Sequence, residues 1–403
     1  MRWLGTALEG RLQRAHSIDD LRALARRALP RMVFDYVDGA AQSENTARLN
    51  RDALEALKIL PGTLCDVSAR SSVTNLFGRP MSLPLIVGPT GFNSVFWPRG
   101  DVALARAASK FGIPFVMSWG ANVSLADIRA DAPARHWFQF NPPLARERWG
   151  QILASVGDAG FEAVEITVDA PVPGRRVRDL RNEFGLPLRW TLGKVAQVAA
   201  HPRWGLRALR HGMPKPVVIE DAFADGTRNR TMSDLASKLI NPSVTWDDLK
   251  NLRDLWRGPL IVKGLSNPHD VERSATFGFD AVVVSNHGGR QLDASVSTIE
   301  VLPACVAAAQ GRIPVLIDSG FRSGTDVFKA LTLGAAAVQI GRAALYGLAA
   351  GGQLGVERAL SILAAELDVT MALTGVTSIT QSRVIEDSMH ETLDSRGVIR
   401  VRA

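Results

Sequence analysis

The stretch VVVSNHGGRQLDAS, Val282 to Ser295, runs from an apolar segment directly into a polar loop carrying His287, two glycines and Arg290. A β-branched run that ends in an imidazole and a guanidinium fits a buried strand whose C-terminal end opens on a shared site. Seven further runs resemble it: PLIVGPTG (84–91), PFVMSWG (114–120), HWFQFN (136–141), AVEITVDA (163–170), PLIVKGL (259–265), PVLIDSGF (314–321) and AVQIGRA (337–343). Between them lie stretches such as DVALARAASKFG and TDVFKALTLGA, whose apolar residues recur at three and four and which stop at glycine, as helices do. Eight strand-and-helix units in unbroken alternation predict a single (β/α)8 TIM barrel. An open doubly wound sheet is the alternative, and it rarely sustains that alternation.

The rest of the chain dresses this barrel. Residues 1–80 are expected to form an N-terminal helical cap, 175–245 a long basic insertion after the fourth strand, and 355–403 a C-terminal helix and tail. With 403 residues and 46% apolar composition, the chain can bury a substantial core. Cys65 and Cys305 stand far apart, which argues against a disulfide framework or a metal site and for a reducing compartment. No signal-peptide core and no apolar run of transmembrane length are read, so a cytoplasmic location is expected. The net charge of +7 does not by itself choose between nucleic acid, an anionic surface and acidic substrates; its distribution matters more.

In such a barrel the polar residues that close each strand point into one site. Here they are Ser118, Gln139, Asn141, Thr167, Asp169, Lys263, His287, Arg290, Asp318 and Arg322. One of them alone would read as a helix cap or loop residue; together they are placed to converge. IDSGFRSG and IGRA combine glycines, Arg322, Arg342 and a following helix N-terminus, the composition of a barrel phosphate site. Lys263 stands inside an apolar strand, where an unpaired ammonium is costly, so it should face an anionic or electron-rich ligand or act as a Schiff-base lysine.

SNHGGRQLD, with PTG, TVDAPVPGRR, VKG and DSGFRSGTDVFKAL, resembles the FMN-dependent (S)-2-hydroxy-acid oxidases and dehydrogenases, a family that includes glycolate oxidase and L-lactate dehydrogenase. The similarity is collinear from about residue 30 to about residue 375. PTGFNSVFWPRGDVALARAASKFGIPFVMS and HPRWGLRALRHGMP bring it nearest to the mandelate dehydrogenases, a membrane-associated branch.

The resemblance implies non-covalently bound FMN, a small 2-hydroxy-acid substrate, quinone or dioxygen as electron acceptor, no metal, no nucleic-acid partner, and a homo-oligomer, commonly a tetramer. It makes His287 the base for the substrate's 2-hydroxyl and Asp169 the carboxylate that supports its protonated form. Arg290, Arg176 and Tyr36 match the groups that hold the substrate carboxylate, two forks suiting a planar anion. Lys263 matches the cation beside the reduced flavin. Pro89, Thr90, Gly91, Ser118, Gln139, Thr167 and Ser285 match contacts to the flavin ring. Asp318, Gly320, Arg322, Gly341 and Arg342 match contacts to the ribityl chain and phosphate.

Two positions depart from the family. Asn141 stands where the family usually has a tyrosine at the end of the third strand, which points to an altered substrate or a slower reaction. Gly120, where glycolate oxidase has a large aromatic, predicts room for an aryl group, with Trp119 as the residue that fills the pocket if the alignment shifts by one. An aromatic, mandelate-like acid is therefore the expected substrate. A dioxygen-using oxidase or monooxygenase and a catalytically weakened FMN-binding barrel are the alternatives. In the insertion, Leu186 to Ile219 carries Arg189, Lys194, Arg203, Arg207, Arg210 and Lys215 with Trp190 and Trp204 and no acidic residue. That composition suits a peripheral contact with the inner face of a membrane, or a solvated active-site lid.

Overall fold

The computed structural model describes residues 2–132, 135–184, 190–212, 214–222, 241–379 and 398–400. Leu186 and Arg189 of the basic insertion, its part from 223 to 240, and the tail from 380 to 397 lie outside the described residues.

All eight expected runs form strands, and they close in chain order into a parallel barrel. The strands are Leu85–Val87, Phe115–Met117, His136–Phe140, Ala163–Thr167, Leu260–Leu265, Ala281–Val284, Val315–Ile317 and Ala337–Ile340. Pairing of Val338 with Leu85 joins the eighth strand to the first, so the sheet has no edge and the doubly wound alternative is excluded.

The alternation of side chains along each strand builds the interior in layers. The floor is apolar, with Ile86, Val116, Trp137, Ala163, Ile261 and Leu316 in one buried cluster. A hairpin of Thr74–Leu76 and Arg79–Met81 closes that end, with Leu76 and Met81 joining the cluster and the Phe77 ring 5.6 Å from Trp137. Two residues further along the same strands the layer turns polar: Ser118, Gln139, Glu165, Lys263 and Gln339 are buried, and Asp318 is partly so. Two residues beyond that come Asn141, Thr167, His287, Gly320 and Gly341, at the C-terminal mouth.

Side-chain caps start the surrounding helices. Ser323 and Asp326 form a reciprocal capping box at the helix Gly324–Thr332, as do Thr245 and Asp248 at Trp246–Leu255. The C-terminal helix Arg342–Thr374 breaks at Gly351 and Gly352 and packs along the N-terminal helix Ile18–Ala28. Residues 1–80 are not helical throughout: after four helices ending at Ala56, Lys58–Leu60 pairs in parallel with Val398–Arg400, and the floor hairpin follows. The insertion forms the helices Leu192–Ala199, Pro202–His211 and Val217–Ala222. Both cysteines are free, and among the described residues no helix is long and apolar enough to cross a membrane and no cluster suits a metal ion.

Candidate active site

One cavity at the C-terminal mouth gathers the strand-end residues. The first four strands and their loops contribute Pro89, Thr90, Gly91, Ser118, Gln139, Asn141 and Thr167. The last four contribute Lys263, His287, Arg290, Asp318, Gly320, Arg322, Gly341 and Arg342. Tyr36 reaches in from the helix Arg31–Asp38, and Arg176 from the start of the insertion.

His287 is held in a turn that few side chains adopt. Its φ is +57°, followed by +66° at Gly288 and +74° at Gly289, a left-handed run that costs a β-carbon energy. A β-carbon on Gly289 would sit 2.6 Å from the Ala47 nitrogen, so only glycine lets the turn lie against the helix Asn45–Ala56. Side chains pin the strained turn: the His287 N–H donates to Ser285 Oγ at 3.1 Å and the Gly288 N–H to Ser319 Oγ at 2.9 Å. The side-chain amides of Asn50 and Asn286 donate to each other at 2.9 and 2.8 Å, locking the loop to that helix.

Asp169 does not line the cavity but backs it, with Oδ1 3.1 Å from His287 Nδ1. Gly264 makes this approach possible: its φ is +107°, and a β-carbon there would lie 2.7 Å from Asp169 Cγ. Ser285 is also behind the wall, accepting from Lys263 Nζ at 3.3 Å.

Two guanidiniums converge beside Tyr36, Arg290 at 5.2 Å and Arg176 at 5.5 Å from the ring centre. Arg290 is oriented by donating Nη1 to the carbonyls of Tyr36 and Gly39 at 2.8 and 2.9 Å. Burial, then the charge of Arg176, pulls the Arg290 pKa down to about 10. Arg176 itself pairs with Asp179 at 2.9 Å.

On the floor of the cavity Lys263 pairs with Asp318. Burial works against the ammonium, but the charges of Asp318 and Glu165 outweigh it and raise its pKa above the ordinary value. Burial likewise opposes the Asp318 carboxylate, which Lys263 holds below the usual range. Gln139 accepts from the Trp119 N–H at 3.0 Å and donates to Asn141 Oδ1 at 2.7 Å and Thr167 Oγ1 at 2.9 Å.

Some expectations need correction. Gly120 is not part of the lining: its carbonyl accepts from the Phe92 N–H at 3.2 Å, and a β-carbon there would meet Gly91 Cα at 3.6 Å. A β-carbon at Gly120 would meet nothing closer than ordinary contact, so the position leaves the space beside Gly91 and Ser118 unfilled. Trp119 does not fill the pocket either; it is buried outside the barrel, edge-on to Phe138 and Phe140. Arg342 donates to the carbonyls of Val37, Gly288 and Gly39 at 3.1, 2.8 and 2.7 Å, so much of its fork holds the wall. Phe96, Gln339 and Leu345 line the cavity without having been foreseen. Gln339 carried a usable signal, a polar residue inside an apolar run, as Lys263 is.

The sequence model of the FMN-dependent dehydrogenases matches residues 25–386. The chain belongs to that family. It is 43% identical to an (S)-mandelate dehydrogenase of Pseudomonas putida over 369 residues, 91% of this chain and 92% of that protein. An L-lactate dehydrogenase of Pseudomonas syringae pv. syringae is 39% identical over 91% of this chain and 96% of its own length. Among solved structures, that of a monotopic membrane protein, (S)-mandelate dehydrogenase, superposes with a TM-score of 0.87 at 41% identity, covering 92% of this chain and 98% of the other. A mandelate oxidase with (S)-2-phenylpropionate gives 0.78 at 35% identity, covering 91% and 96%.

The chain is thus an FMN-dependent oxidoreductase of the 2-hydroxy-acid dehydrogenase family. The cavity's own chemistry fits the cofactor. A flavin ring needs donors and acceptors along its polar edge, and Gln339 Oε1 is buried here without a protein partner. Its phosphate needs cations, and the mouth carries Arg322 beside the capped start of the helix Gly324–Thr332.

Proposed function

We propose that the protein oxidises an (S)-2-hydroxy acid of aromatic, mandelate-like type to the 2-oxo acid. The observation that carries this reading is the His287–Asp169 contact beside two guanidiniums that converge on Tyr36. FMN, when bound, supplies the acceptor for the hydride from the substrate's α-carbon. With Nδ1 held by Asp169, Nε2 of His287 is the nitrogen that takes the 2-hydroxyl proton, and the adjacent carboxylate stabilises the imidazolium that results. Arg290 and Arg176 grip the substrate carboxylate, with Tyr36 adding a hydrogen bond. Lys263, fixed between Asp318 and Ser285, places a positive charge where the reduced cofactor gains electrons.

Asn141 sets the substrate's size in this reading. It lines the cavity and is shorter than the tyrosine of relatives, leaving room beside the carboxylate-binding pair. Anaerobic mixing of the FMN-loaded protein with mandelate, lactate and glycolate, monitored by flavin bleaching, tests it. Mandelate is expected to reduce the flavin fastest, and Asn141→Tyr to shift preference toward the smaller acids. Faster reduction by glycolate, or no shift in the variant, overturns the aromatic assignment.

The insertion supplies a peripheral membrane contact, and a quinone is the electron acceptor that such a position makes accessible. Leu192, Leu206 and Leu209 are 91%, 67% and 84% exposed on the helices Leu192–Ala199 and Pro202–His211, with exposed Arg203 and Arg210 on either side of Leu206 and Leu209 in the chain. An exposed leucine row flanked by arginines is the composition of an interfacial helix. The monotopic membrane relative supports the same reading. Reoxidation of the bleached enzyme by a quinone analogue, compared with dioxygen, identifies the acceptor.

A further inference from the structure

Away from the active site, a second cavity of about 330 Å³ lies where the insertion meets the N-terminal and C-terminal helices. Arg11, Arg27, Arg203, Arg207 and His201 line it, and no aspartate or glutamate does. None of the four arginines has a carboxylate partner among the described residues. Arg207 is half-buried and lies 3.7 Å over the Trp97 ring, and burial followed by the charge of Arg203 lowers its pKa. Like charges gathered without counterions cost stability unless something anionic is bound.

The rest of the wall is apolar, from Leu8, Leu12 and Leu24 to Ala349 and Ala350. It is built by the break in the C-terminal helix. A β-carbon on Gly351 would sit 2.7 Å from Leu12 Cδ1, and one on Gly352 2.4 Å from Trp97 Cε2, so both walls depend on glycine. The cavity therefore pairs an anion-seeking end with an apolar end, next to the exposed Leu206 and Leu209.

We propose that this cavity binds the phosphate headgroup of an anionic glycerophospholipid, the arginines holding the phosphate and Leu8, Leu12 and Leu24 the first carbons of an acyl chain. The lipid source rests on the membrane contact assigned to the insertion; the anion site does not.

Calorimetric titration of the FMN-loaded protein with soluble dihexanoyl phosphatidylglycerol, dihexanoyl phosphatidylcholine and inorganic phosphate tests the proposal. Saturable binding of the anionic lipid is expected, tighter than that of the other two, and weakened about tenfold or more in Arg11→Gln/Arg27→Gln. Arg14→Gln removes a positive charge just past the end of the helix Arg2–Gln13 that carries Arg11, outside the cavity, and should leave binding unchanged. Absence of saturable binding, equal loss in Arg14→Gln, or phosphate binding as tightly as the lipid overturns the assignment. Flavin absorbance confirms that each variant is folded. Sedimentation with anionic vesicles separates the two ideas: Leu206→Ser/Leu209→Ser should abolish it while leaving short-chain binding intact. Undiminished sedimentation of that variant rejects the membrane contact alone.

Discussion

His287 is strained, buttressed and paired, and those three facts belong together. A non-glycine residue at φ +57° persists only where its surroundings over-determine it, which here means Ser285, Ser319 and the Asn50–Asn286 amide pair. Asp169→Asn leaves this turn in place but no longer favours the imidazolium, so kcat should fall by about 10²-fold or more with KM little changed. Steady-state kinetics check the split. Arg290→Lys should act the opposite way, raising KM by about 10-fold or more, because an ammonium cannot reproduce a fork already anchored to two carbonyls.

Glu165 makes a prediction about pH. Burial in the barrel pushes its pKa up to about 7, against 4.5 for an ordinary glutamate. The folded protein then holds a proton that the unfolded chain has lost. This contribution to stability is full below about 4.5 and disappears as pH rises through about 7. Glu165→Gln, which imitates the protonated form, should match the wild type at pH 4.5 and exceed it at pH 8 by on the order of 1–3 kcal/mol. Urea unfolding at the two pH values measures it, and parallel curves contradict it. This carboxyl and its Gln339 partner both stand as polar residues inside apolar runs, a signal that strand phase must complete, since phase alone tells a side chain facing the barrel axis from one facing outward.

At the scale of elements, the strand ends were readable because β-branched runs stopped at polar residues two apart, and that spacing carries consecutive side chains up the same inner face. Gly120 and Trp119 show the limit. Past the end of the second strand neither residue is among those lining the cavity, and no local pattern says so. The helix contacts were equally hidden. Gly324, first residue of a helix, meets the C-terminal helix so closely that a β-carbon would lie 2.1 Å from the Leu367 nitrogen. Gly324→Ala should therefore destabilise the protein by about 2–4 kcal/mol and loosen FMN, since the segment just before this helix carries Arg322. Chemical denaturation and FMN retention on gel filtration check both.

The whole molecule is a barrel sealed at one end and open at the other. Its apolar floor and hairpin plug close one end, the polar layer above them is held by its own pairs, and the active-site cavity opens at the C-terminal mouth. The barrel and its site at the C-terminal strand ends followed from the sequence, since eight alternating units leave few other closures. The hairpin, the parallel pairing of Lys58–Leu60 with Val398–Arg400 and the second cavity did not, because each joins segments remote in the chain.

In the proposed reaction His287 removes the hydroxyl proton while FMN sits in the same cavity. Single-turnover bleaching of the flavin by (S)-mandelate under anaerobic conditions, in wild type and His287→Ala, tests it directly. The variant should retain FMN with an unchanged oxidised spectrum and bleach about 10²- to 10⁴-fold more slowly. Bleaching at the wild-type rate in the variant, or none by any 2-hydroxy acid in the wild type, would contradict it.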